Sequence, residues 1–130
     1  MIVHFPVGLL ISGVVFEIYG ALRNDGVAET AGRYNIRFGF WCLFPVLLVG
    51  FLGMISLENT EEFKDFLSSH LTFALCTAGL FFSAMLVSRY LRQPLGRALY
   101  FIIIGVGGIF VLTTGYFGGE LVHRFGVSTH

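Results

Sequence analysis

An all-α integral membrane four-helix bundle, antiparallel and with both termini on the outer side, is the fold class this chain predicts. Three observations carry it: four long apolar runs cross the 130 residues, hydrophobic residues make up 55 %, and charged residues only 12 %. That charged share is about half of what a soluble protein carries, and the charges sit at run ends and in connections. In hydrocarbon every backbone polar group must be satisfied internally, so only helices and closed barrels span it. These runs lack the two-residue alternation of barrel strands. The length predicts a single transmembrane domain, residues 1–130. A formal net charge of zero removes nucleic acid from the implied partners and leaves the lipid bilayer.

The predicted helices cover about residues 2–22, 36–57, 60–91 and 98–122, each reaching the ~20 residues that cross a bilayer. The first has no positive segment before it, so it is expected to be a retained helix and not a signal peptide. Asn24-Asp25-Gly26 predicts a turn after it. Pro45 is expected to bend the second helix by removing one hydrogen bond. Asn59 can cap the third, with Glu62 three positions on, and Gln93-Pro94-Leu95-Gly96 predicts a tight turn before the fourth. Tyr19, Tyr34, Tyr90 and Tyr100 read as an interfacial belt. Cys42 and Cys76 read as small core filler.

Arginine placement sets the orientation. Arg23, Arg33, Arg37, Arg89, Arg92 and Arg97 lie on one side, against Lys64 and Arg124 on the other. The arginine side is therefore expected in the cytoplasm of a bacterium, with the chain multi-pass in the inner membrane. His4, His70, His123 and His130 then gather at the periplasmic face.

Imidazoles are suited to hold haem iron, copper or a proton. His4 has Gly8 one turn deeper, and His70 has Ala74 and Thr77 below it. His123 follows Gly115, Gly118, Gly119 and Glu120. Small residues beneath an imidazole leave room for a flat macrocycle, and Glu120 can accept the second ring N–H of His123. The expected cofactor is haem b, with His4 and His70 as the metal ligands, His123 as a substitute ligand and Glu120 beside it in the cofactor site. Copper is less favoured, because no Met-x-x-Met or Cys-x-x-Cys pattern is present, and zinc lacks its motif too. His130 receives no role. Gly115 and Gly119 form a G-x-x-x-G pair, expected to bring helices close within the bundle or against a partner. Glu17 lies inside the first run near the arginine side and is expected to pair with an arginine such as Arg89 or Arg37. No substrate-transforming residues are visible, so an enzyme is not expected. The near absence of polar groups at mid-membrane disfavours a transporter.

His4-Phe5-Pro6 opening run one, His70 opening run three and Gly115-Tyr116-Phe117-Gly118-Gly119-Glu120-Leu121-Val122 closing run four carry a resemblance. On them the chain resembles the DUF2231 family of predicted bacterial membrane proteins, over nearly its whole length. The resemblance implies four spans and a suspected haem-linked redox role. The family pattern continues Tyr-Arg-His-Gly, where this chain has His123-Arg124-Phe125-Gly126. A two-residue shift turns an imidazole to nearly the opposite helix face, which leaves His4 and His70 as the better pair. The functional expectation is an electron-transfer subunit serving a periplasmic redox protein or a larger membrane complex. The alternative is a cofactor-free structural subunit of a respiratory or photosynthetic assembly. For the orientation, a cysteine engineered into residues 59–66 should react with an impermeant thiol reagent outside intact cells; protection would reverse the assignment.

Overall fold

A computed structural model describes residues 4–56 and 61–125, which form α1 (His4–Arg23), α2 (Gly26–Ser56), α3 (Glu61–Tyr90) and α4 (Leu95–Phe125). Each is long and apolar enough to cross a membrane. Successive helices run antiparallel. α1 packs on α2 and α4, and α3 on α4 and α2, while the diagonal backbones stay apart. The closest packing is within α1–α2 and within α3–α4, so the bundle is two helical hairpins laid side by side. The start of α1 and the end of α4 share one end with His70, here the histidine end; the two hairpin turns mark the arginine end.

The predicted turn after the first helix is present, but α2 begins ten residues before the expected Ile36. Asn24 adopts the left-handed conformation (φ 53°), and the Asp25 N–H donates to the Gly20 carbonyl at 2.9 Å. This is the pattern that closes a helix C-terminus, at a residue type that tolerates positive φ. Asp25 then starts the next helix, its Oδ1 accepting from the N–H groups of Val27 (3.0 Å) and Ala28 (3.2 Å). Hydropathy locates where a helix turns apolar; capping locates where it begins. α2 continues through Pro45. The expected Asn59 cap, like His130, lies outside the described residues.

Glycines set the distance between α1 and α2. A Cβ on Gly32 would lie 2.6 Å from the Glu17 nitrogen and 2.7 Å from the Gly13 carbonyl. One on Gly20 would lie 2.6 Å from the Glu29 nitrogen, and one on Gly13 would lie 2.9 Å from the Gly32 carbonyl. Backbone atoms cannot yield as a side chain can, so these helices touch main chain to main chain. Across the other hairpin, Gly107 makes room for the Phe81 ring. Gly115 and Gly119 do neither: nothing lies within 4 Å of their Cβ positions, and both face outward. The G-x-x-x-G pair therefore brings no helices together inside the bundle.

Leu10, Phe81, Ile104 and Val111, all essentially inaccessible, form a dry layer at mid-bundle. A smaller cluster of Phe63, Leu67, Leu71 and Leu121 closes the histidine end between α3 and α4. Phe73 and Phe117 stack across the same hairpin, their ring centroids 5.3 Å apart. The cysteines are not core filler: Cys42 is half-buried and Cys76 exposed. Tyr19, Tyr34 and Tyr90 are exposed, as an interfacial belt requires, whereas Tyr100 is buried.

Gly32→Ala should lower stability by about 1–3 kcal/mol through overpacking against backbone, and Gly115→Ala should stay within about 1 kcal/mol of wild type. Unfolding of the two variants in mixed detergent–SDS micelles checks the contrast; equal losses would refute it.

Candidate functional site

The most developed polar constellation lies at the arginine end, where three helices converge on Glu17. The glycine contacts draw α1 against α2 so closely that Glu17, on the buried stripe of α1 with Leu10, Gly13 and Gly20, is fully inaccessible (0 % exposed). A carboxylate removed from water needs donors in place of the water it gave up. Two reach it. The Tyr100 hydroxyl, from α4, donates to Oε1 at 2.7 Å. Arg33, from α2, donates to the same oxygen through Nε at 3.4 Å. The other oxygen, Oε2, is buried without a hydrogen-bond partner.

Around this carboxylate, charges alternate. Glu29 accepts from Arg97 at 2.9 Å and lies 3.8 Å from Arg33, one turn along α2. Arg97 reaches from α4 toward the diagonal helix, and its guanidinium rests over the Phe101 ring at 5.6 Å. Both arginines are about half exposed, so each also meets solvent. A cavity of about 80 Å³ lies among these groups, with Glu17, Glu29, Arg33, Arg97, Tyr100 and Phe101 in its wall. Ser88, Leu91 and Gln93 close it from the end of α3 and the following turn. That volume exceeds the 10–15 Å³ that one water requires. The expected arginine partner of Glu17 exists, but it is Arg33, not Arg89 or Arg37. The α2 residue one heptad below Gly39 is Gly32, and its close contact with α1 brings the neighbouring Arg33 level with Glu17.

The predicted histidine site is distributed differently. His70 is half-buried on the inner side of α3, with Ala74 and Thr77 buried beneath it. Its Nδ1 lies 3.0 Å from the Thr114 carbonyl, which requires a proton on that nitrogen and leaves Nε2 uncommitted. A Cβ on Gly118 would meet the ring at 3.1 Å. The room left by this glycine is thus taken up by the imidazole itself. Thr77 and Thr114 hydroxyls, 3.4 Å apart, continue the polar contact one turn deeper.

His4 does not join His70. It is exposed, roughly 140° round α1 from the buried stripe at 100° per residue, and α1 does not pack on α3. The flank it shares with Val7, Gly8 and Ile11 is half-exposed or exposed. His123 is exposed too, and Glu120 ion-pairs with Arg124 one turn on instead of steering that imidazole. Haem bound between His4 and His70 does not fit this packing, because the two residues occupy different surfaces of diagonal helices. Among the described residues no three His, Cys, Asp or Glu side chains group as metal ligands.

Four apolar helices, each long enough to cross a bilayer, define a multi-pass membrane protein. The chain belongs to the DUF2231 family, whose model, described as a predicted membrane protein, matches residues 1–130. No curated protein and no solved structure matches it.

Sequence patterns had marked Glu17 but not its setting. Glu29 and Arg33 stand four apart, and Gly13–Gly20 and Gly32–Gly39 are each spaced by one heptad. Together these place a glycine-lined seam beside a charged pair. Tyr100 carried no comparable signal, since a tyrosine near the edge of an apolar run usually belongs to the interface. Tyr100→Phe should cost about 1.5–3 kcal/mol, the range for a hydrogen bond to a charged group. Thermal unfolding in detergent checks it; a loss below about 0.5 kcal/mol would show that the carboxylate does not depend on that hydroxyl.

Proposed function

We propose that this protein is a multi-pass component of the bacterial inner membrane, arginine end in the cytoplasm, that binds a small hydrophilic solute in the Glu17 cavity. One observation carries the reading: a fully buried carboxylate with one unpartnered oxygen stands in the wall of a cavity of about 80 Å³. Intramembrane ionisable groups are rare and costly, and mark functional sites by default. Binding is favoured over transport. Between Tyr100 and Thr114 on α4, roughly 21 Å by helix rise, the interior is the dry layer of Leu10, Phe81, Ile104 and Val111. The Asn35 amide donates to the Ser12 hydroxyl at 3.2 Å between α1 and α2, but no charged side chain belongs to the dry layer among the described residues.

A second reading keeps electron transfer at the periplasmic end, in a complex with a redox partner, with haem b on His70 alone among the predicted ligands. The Nδ1 contact with the Thr114 carbonyl favours it, since that arrangement orients an imidazole and leaves Nε2 for a metal. A cofactor-free structural subunit is the outcome if neither end binds anything.

Thermal unfolding of the purified protein against ammonium, guanidinium, urea, acetate and phosphate salts tests the main reading. At least one solute should raise the midpoint in wild type and fail to do so in Glu17→Leu. A flat response across the series rejects the binding site. On the same sample, a Soret band lost in His70→Ala would establish the second reading, and a colourless protein would remove it.

A further inference from the structure

The wall of the cavity includes a buried carboxylate with one unpartnered oxygen, and this oxygen selects its occupant. Oε2 of Glu17 has no partner, and Oε1 is met by one short and one long contact. The second Glu29 oxygen has only Arg33, at 3.8 Å. Each guanidinium faces a carboxylate, and that of Arg97 also rests over Phe101. An anion would compete with Glu29 for those arginines and approach the buried Glu17 charge.

We propose that the occupant is a small organic monocation with N–H donors, a primary ammonium or a guanidinium, held by Glu17 and the aromatic wall of Tyr100 and Phe101. The inference rests on the cavity reading above and adds its ligand class. A carboxylate in a water-poor site gives a charge-assisted hydrogen bond to such a cation. Aromatic faces stabilise the same charge, and the Phe101 face already carries a guanidinium, that of Arg97. The ammonium can belong to a free amine or to a lipid headgroup, since the cavity lies at the arginine end of the bundle, beside the α3–α4 turn.

Calorimetric titration of the full-length protein in phosphatidylcholine nanodiscs tests the assignment, because that lipid's headgroup has no N–H. Methylammonium should bind and tetramethylammonium, with the same charge and no donor, should not. Glu17→Gln should weaken methylammonium binding roughly tenfold or more. If that variant does not fold, the comparison of the two cations on wild type still decides. Repeating the titration with phosphatidylethanolamine in the nanodisc separates the sources: suppressed binding identifies the headgroup as occupant, and unchanged binding identifies a free amine. Equal binding of tetramethylammonium, or full binding by folded Glu17→Gln, overturns the proposal. Binding of phosphate or urea without methylammonium overturns the cation but keeps the cavity. Silence from all four solutes overturns both.

Discussion

The main-chain contact between α1 and α2 governs the arginine end of this molecule. Gly13, Gly20 and Gly32 remove the Cβ atoms that would hold the two helices apart, and each would place that atom under 3 Å from the facing backbone. At that separation Glu17 has nowhere to go but into the space shared by α1, α2 and α4, where it is fully buried. A buried carboxylate recruits donors or destabilises the fold. Arg33 follows from the α2 register, and Tyr100 is supplied by the second hairpin. Packing and site are therefore one arrangement: the glycines bury the charge, and the charge draws the hairpins together.

The two hairpins are built by different means. α1–α2 closes through glycines, while α3–α4 closes through rings, with Phe81 on Gly107, His70 on Gly118 and Phe73 against Phe117. Between them the seam is apolar at mid-depth and polar at the arginine end, where Glu17–Tyr100 and Glu29–Arg97 cross it. Apolar contact has little directional preference in hydrocarbon, where lipid tails compete equally for the same surface. Hydrogen bonds to buried charge are directional. They fix how the hairpins meet.

At the histidine end the same logic yields a single oriented imidazole. His70 occupies the groove that a glycine on α4 leaves, and a backbone carbonyl fixes its ring. His4 and His123 share its end of the bundle but not its interior. Depth and direction are separate properties of a helical residue. Sequence position fixes the first, and the second depends on which stripe the helix buries.

Composition and run length determined the number of spans and their alternation, because the cost of unsatisfied backbone in hydrocarbon permits almost no other solution. The placement of Glu17 near the arginine edge was equally readable. What only the tertiary structure decided were facings and partners. Gly115 and Gly119 look outward although they match a packing motif, and Tyr100 turns inward although it sits where a belt residue would. In lipid-exposed helices both faces are apolar, so the periodicity that marks a buried stripe in a soluble protein is nearly erased. Where the polar–apolar contrast between the two sides of a helix is that weak, direction is settled by which backbones can touch.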